Sequence, residues 1–396
     1  MALDVKAYAG REQAYVKHYF LENYLERLIH KTASRFDHIA YVDGFSGPWQ
    51  NSGEDYADTS FGIALSALRK ARSSWKTQGR EVAMSAHLVE QSKSAFTELQ
   101  TIPSKYPDVT VIPYHRDFIK AVPEILANVP DNAFAFVFID PKGWALPLSA
   151  LAPLLKRPNT EIVFNFMFDF INRAASMSDP TLATSLNELL PDGDWRAELA
   201  KLKATEILAE GAAARKAILV DAFTKALSKA GNYEYVLETP VLRPLKDRTL
   251  YSLFYGTRRT PGVEVFRDCQ VKTLQAQQAI RGTAKMASQV QVSGQGEMFD
   301  SLSDLAPDDT VKFLAEQRAA AQVEMMTLIP LAPASIEYGR VWPQVLAKYA
   351  IRKTELSSIV GSLRKGGELE IPQWVPRKRI PEDNYRINRH PSSTPR

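Results

Sequence analysis

The chain has 396 residues, 45% hydrophobic and 24% charged, with 49 Lys and Arg against 45 Asp and Glu for a net charge of +4. That length buries a full core with room for a second unit, and so mild a charge proves no polyanion partner, so its placement matters more than its sum. The single cysteine, Cys269, excludes an intrachain disulfide framework and a structural Cys/His zinc site made by this chain alone.

Met1 to Gly10 lacks the charged-then-apolar pattern of a secretory leader, and no apolar run approaches the roughly 20 residues that span a bilayer. The expected setting is therefore cytoplasmic and reducing, with no membrane contact. From Arg11 to about Ser34, Val16, Tyr19, Phe20, Leu25, Leu28 and Ile29 recur at helical spacing, which predicts a long amphipathic helix ahead of a sheet. His38 to Val42 reads as a strand that ends in a glycine loop, Asp43-Gly-Phe-Ser-Gly-Pro48, and Thr59 to Lys70 reads as the helix after it.

The alternation continues with strands at Met84 to Val89, Val109 to Pro113 and Ala133 to Ile139, and helices at Ser92 to Leu99 and Phe118 to Ala127. The last of those strands is apolar on both faces, as in the middle of a parallel sheet covered by helices. Glu161 to Met167 adds a strand, and 172 to 230 turns helical and charged, an insertion or cap on the sheet. Tyr233 to Val241 and Thr249 to Thr257 lie close enough in sequence to pair antiparallel, and a mostly parallel sheet finished this way is the arrangement of methyltransferase-type Rossmann domains.

The segment Gln277 to Asp308 is rich in Gln, Ser, Gly and Asp and has weak periodicity, which marks a linker. Beyond it, Trp342 to Tyr349 and Thr354 to Arg364 read as two helices joined by a short turn, with Thr354 as a cap, followed by a basic hairpin-like tail in a winged-helix pattern. The expected domains are a Rossmann-like domain at 1 to 280, a linker at 281 to 310, and a helical, winged-helix-like basic domain at 311 to 396.

Chemistry concentrates at the expected carboxyl ends of the strands, where open α/β sheets bind ligands. Gly44 and Gly47, with Asp43 and Phe45, form a loop that lets a ligand approach the backbone; a purely structural turn explains the glycines as well. Glu90 closes the second strand, where a carboxylate can accept hydrogen bonds from ribose hydroxyls or can simply be solvated. Asp117 and Phe118 suit an adenine amino group and ring face, although Asp117 is an equally good helix cap. Phe138-Ile-Asp140-Pro-Lys-Gly-Trp144 is the most site-like stretch: Asp140 can orient a substrate amine, Lys142 lies in the same turn and Trp144 can stack a flat base, against a bland reading of a capped, packed turn.

The six histidines form no metal pattern, and no Ser/His/Asp arrangement follows from spacing. From Leu363 to Arg396 eight Lys and Arg face four Asp and Glu, and Arg377, Lys378 and Arg379 near Trp374 and Tyr385 suit a phosphate backbone, although winged helices also dock proteins.

Tyr41-Val-Asp-Gly-Phe-Ser-Gly-Pro48, Phe138-Ile-Asp-Pro-Lys-Gly143, Glu161-Ile-Val-Phe-Asn-Phe-Met167 and Thr257-Arg258 with Gly262 together resemble the bacterial three-Cys-motif partner protein family, TcmP, over nearly the whole chain. The resemblance implies a methyltransferase-like protein working beside a neighbour with a three-cysteine, radical-S-adenosylmethionine-like motif. Against the family's common patterns, this chain has Ser46 for Ala, Trp49 for Gly and Lys142 for Phe. The resulting expectation is an S-adenosylmethionine-dependent methyltransferase acting on nucleic acid, DNA rather than RNA. Asp43, Gly44, Phe45, Gly47, Glu90, Asp117 and Phe118 hold the cofactor, and Asp140, Lys142 and Trp144 serve the acceptor. The rival is a non-catalytic nucleic-acid-binding or adaptor subunit that retains the fold, favoured by Trp49 and Lys142.

Overall fold

The computed structural model describes residues 3, 5–8, 10–47, 56–141, 143, 146–177, 179–191, 193–202, 209–293 and 309–390. The chain divides into two compact units, Met1–Arg258 and Arg259–Arg396.

In the first unit the elements are α1 (Glu12–Ala33), β1 (His38–Asp43), α2 (Ser60–Thr77), β2 (Ala83–Glu90), α3 (Lys93–Leu99), α4 (Ile102–Lys105), β3 (Thr110–His115), α5 (Phe118–Asn128) and β4 (Phe134–Ile139). They continue with α6 (Leu148–Leu155), β5 (Thr160–Phe166), α7 (Phe168–Ala174), α8 (Pro180–Leu189), α9 (Trp195–Leu202), α10 (Ala209–Gly231), β6 (Tyr235–Leu242) and β7 (Thr249–Thr257). One sheet runs in the order β3-β2-β1-β4-β5-β7-β6. The first five strands are parallel, and β7 lies antiparallel between β5 and β6. A reversed strand inserted there makes this a methyltransferase-like α/β fold, and the order reverses between β1 and β4, where such sheets open a crevice.

The apolar patterning explains the placement. All six residues of β4 and all seven of β5 are buried, as central strands with helices on both faces require. On α1 the buried stripe includes Tyr15, Val16, Phe20, Tyr24, Leu25 and Leu28, so the helix lies against the sheet along its length. The Thr59 side chain caps α2 by accepting from the Gly62 N–H at 3.1 Å, and the helix outruns the expected end at Lys70 to reach Thr77.

Two residues quoted within motifs prove to be framework. Glu161 accepts from Tyr24 Oη at 3.0 Å and Thr257 Oγ1 at 2.8 Å, which satisfies a carboxylate buried at the start of β5. Arg258 donates to the carbonyls of Arg157, Thr160, Leu155 and Gly231 and stacks over Tyr233 at 4.8 Å, tying together the ends of α6, β5 and α10.

The second unit contains α11 (Thr260–Ser293), α12 (Asp309–Leu328), β8 (Ile336–Glu337), α13 (Tyr338–Lys348), α14 (Lys353–Lys365), β9 (Leu369–Glu370) and β10 (Arg386–Arg389), with an antiparallel sheet ordered β8-β10-β9. The expected linker gives way to helix as far as Ser293, because its Ala, Gln, Lys and Met residues are good helix formers; 294 to 308 lie outside the described residues. Thr354 does not cap α14. The helix starts one residue earlier, and Glu355 accepts from the Arg352 N–H at 3.0 Å. Among the described residues no helix is long and apolar enough to cross a membrane.

Candidate functional site

A cleft of about 850 Å³ opens in the first unit at the carboxyl ends of the parallel strands, a size suited to a small-molecule ligand. Backbone bonds from Gly44 N to Phe138 O (3.1 Å) and from Ser46 N to Val89 O (2.8 Å) stitch the loop after β1 to its neighbouring strands. Asp43 is fully buried behind that loop. It accepts from the Phe45 N–H at 3.0 Å, Tyr41 Oη at 2.9 Å and Ser60 Oγ at 2.6 Å. Burial pushes its carboxyl up while these donors pull it down, and the net displacement is upward. Asp43 therefore shapes the loop and does not line the cleft.

Gly44 and Phe45 do line it. A Cβ on Gly44 would come within 2.8 Å of the Phe118 ring, so the glycine lets the loop close onto that ring. Phe118 is buried beneath the loop and meets Phe45 edge to face, with centroids 5.8 Å apart. Gly47 is buried outside the cleft lining.

Glu90, at the end of β2, reaches the cleft while accepting from the Ser92 N–H at 2.5 Å. Asp117 caps α5 by accepting from Ile119 N at 2.9 Å and Lys120 N at 3.4 Å, and it also lines the cleft. Capping and lining coexist because a helix cap at a strand's carboxyl end stands at the crevice. Gly44, Phe45, Glu90, Asp117 and Phe118 thus form one wall.

Across the cleft, Asp140 follows β4 and stands beside Asn165 of β5, in keeping with the pairing of Ile139 with Phe164. Asn165 Nδ2 donates to Asp140 Oδ1 at 2.5 Å, and Lys17 of α1 forms an ion pair with Oδ2. Burial alone would push the Asp140 carboxyl up; the Lys17 ammonium and the Asn165 amide outweigh it and hold the group below the ordinary carboxylate range. The Oδ1 atom of Asn165 is buried in the cleft wall without a hydrogen-bond partner among the described residues. Gly143 sits at φ +124°, a conformation that favours glycine in the turn after Pro141. Lys142 and Trp144 lie outside the described residues.

Lys17, Asn165 and Tyr251 escaped the sequence reading. Asn165 left a trace as the one polar side chain late in an apolar strand, whereas Lys17 left none: Gln13, Ala14 and Lys17 share a helix face, but only the fold brings it over the crevice. Tyr251 Oη donates to the Gln13 carbonyl, fixing α1 to β7 at the cleft. Beside Lys17, His18 is buried, bonded to Tyr8 Oη at 2.9 Å and held neutral by burial, its pKa lowered to about 3.

No family model matches this chain, and no curated protein does. Among solved structures it is similar to LPL1258 of Legionella pneumophila, from the DUF519 family, at 9% identity and TM-score 0.35 over 60% of this chain and 84% of that one. It is also similar to a loganic acid methyltransferase with SAH, at 10% identity and TM-score 0.28 over 80% of this chain and 92% of that one. The methyltransferase-like description of the fold rests on the strand order and not on these likenesses.

Arg377, Lys378 and Arg379 are exposed in the second unit, in the segment between β9 and β10, with Arg377 at φ +72°. Lys378 pairs with Glu382, and Trp374 Nε1 donates to the Lys378 carbonyl at 3.2 Å.

Proposed function

We propose that the first unit is an S-adenosylmethionine-dependent methyltransferase whose acceptor is an exocyclic amine of a nucleic acid base. The observation that carries this is the convergence of the ends of β1 to β4 on one cleft with two differently equipped walls. On the first wall, Gly44 brings the backbone close, Glu90 presents a carboxylate suited to ribose hydroxyls, and Phe45, backed by the buried Phe118, offers ring surface to a purine. When bound there, the cofactor supplies an activated methyl on a sulfonium leaving group.

The opposite wall equips the acceptor. Lys17 keeps Asp140 ionised, and the orphaned Asn165 Oδ1 adds a second hydrogen-bond acceptor. Two acceptors side by side suit the two N–H groups of a primary amine, and an unmatched buried oxygen favours a ligand that brings a donor. Holding the amine in line with the methyl is the main contribution these residues make to rate. Asp140 accepts a hydrogen bond from the amine N–H, and the proton that the nitrogen sheds as it takes the methyl passes to solvent in the open cleft, because a carboxylate held below its ordinary range is a weak base.

In the second unit, the order α12, β8, α13, α14, β9, β10 with a basic connection before β10 supports a winged helix, with Arg377, Lys378 and Arg379 on the phosphate backbone. A three-cysteine partner and a cytoplasmic site of action complete the proposal; both come from the sequence reading alone. The test is transfer of tritiated methyl from S-adenosylmethionine to DNA and RNA oligonucleotides. Transfer to a purine or cytosine amine that Asp140→Asn abolishes without weakening cofactor uptake is the expected result. Retained turnover in that variant removes Asp140 from the mechanism, and oligonucleotide binding without transfer by the native chain favours the adaptor.

A further inference from the structure

Beyond the cleft, the same sheet edge carries a cluster that the methyl-transfer chemistry does not use. Asp169 of α7 is almost wholly buried, with its side chain 3% exposed, and three guanidinium groups surround it. Arg243 Nη2 lies 2.7 Å and Arg173 Nη2 3.3 Å from Oδ2, and Arg248 Nη2 lies 2.8 Å from Oδ1. A buried carboxylate needs one guanidinium to offset its charge; this one has three.

The guanidiniums are not sealed in. The side chains of Arg173, Arg243 and Arg248 are 57%, 38% and 54% exposed, so each presents surface to solvent, Arg243 hydrogen-bonded to Asp169 and the other two ion-paired with it. Arg173 also lies over the ring of Phe170 at 4.8 Å, and that ring is itself exposed. Forked donors held in place beside an exposed aromatic are suited to a phosphodiester and an unstacked base.

Register puts the cluster next to the acceptor wall. Phe166 pairs with Ser252, so the residues beyond them, Met167 on one strand and Tyr251 and Leu250 on the other, line the cleft. Asp169 follows Met167 by two residues, and Arg248 precedes Leu250 by two. The Arg243 N–H donates to the Arg248 carbonyl at 2.9 Å, closing the loop that presents both side chains at this edge.

We infer that Arg173, Arg243 and Arg248, oriented by Asp169, bind the phosphate backbone of the acceptor strand and so feed its base to Asp140. This rests on the nucleic-acid reading of the cleft. The experiment is fluorescence anisotropy of a labelled single-stranded DNA 12-mer against the full chain from 50 to 300 mM KCl, with Arg243→Gln/Arg248→Gln as one variant and Arg173→Gln as a second. Arg173 is the most exposed of the three and makes the longest contact, so its loss leaves the buried carboxylate two partners if the double variant fails to fold; melting curves check both.

Each lost phosphate contact lowers the slope of log affinity against log salt by about 0.7 for a single strand. The expected fall is therefore about 1.4 for the double variant and about 0.7 for Arg173→Gln, with S-adenosylhomocysteine uptake unchanged. A folded variant with native affinity and slope overturns the cluster's role while leaving the cleft reading intact. A native chain that takes up S-adenosylhomocysteine but holds no oligonucleotide overturns the nucleic-acid reading itself.

Discussion

Replacing Lys17 with Met isolates the electrostatics of the acceptor wall. The side chains of the Lys17–Asp140 pair are 15% and 22% exposed, closer to a buried pair, where loss of one partner costs about 3 to 5 kcal/mol, than to a surface pair, worth about 1 kcal/mol or less. With the Asn165 amide still bonded to Asp140, the expected loss near pH 7 is about 2 kcal/mol. For a unit of this size that lowers the melting temperature by roughly 4 to 8 °C.

The pH dependence carries the sign. In the native chain the Asp140 carboxyl is held below its ordinary value, so its contribution is present above the unfolded pKa of about 4 and is lost as pH falls through the lower folded value. Without Lys17, burial dominates and pushes the carboxyl up, so the variant is penalised near pH 7 and relieved by protonation at lower pH. The gap in melting temperature should therefore narrow between about pH 7 and pH 4. Melting followed by circular dichroism at several pH values measures it; a gap that stays constant with pH, or no gap at neutral pH, refutes the assignment of this ion pair.

Gly44→Ala places a methyl group against the Phe118 ring, so an overpacking cost of about 1 to 3 kcal/mol is expected in the melting temperature, together with at least a tenfold loss of S-adenosylhomocysteine affinity. His87 is buried, bonded to Tyr114 Oη at 2.9 Å and held neutral by burial, its pKa lowered to about 4. The unfolded chain takes up that proton below about pH 6.5, so the native fold loses up to about 3 kcal/mol through this residue as pH falls from there to about 4. His87→Gln should flatten the acid limb of stability in urea titrations at a series of pH values, and an unchanged limb would contradict it.

The sheet was legible because β4 is a wholly apolar run and its neighbours are largely apolar runs cut off by glycine loops and helix caps, and the closing antiparallel pair was legible from its short connection. The carboxyl-end residues Glu90, Asp117 and Asp140 could be chosen because α/β topology places strand ends at a crevice whatever the side chains are. Dual roles were harder to read. Nothing local distinguishes Asp43, whose oxygens are taken up by Tyr41, Phe45 and Ser60, from Glu90, which faces the cleft. Lys17 and the arginines around Asp169 were illegible for a different reason: their charges look solvated in sequence, and only the packing of α1 and the β6–β7 loop brings them to partners. The segment after Gln277 reads as a linker by composition, whereas helix propensity continues α11 as far as Ser293.

The most direct test of the account is calorimetric titration of S-adenosylhomocysteine into the purified full chain and into Glu90→Gln, which keeps an oxygen for the Ser92 N–H. Micromolar binding at one site per chain, weakened at least tenfold in the variant, is the predicted result. No binding, or equal binding by both proteins, would contradict a cofactor site in this cleft.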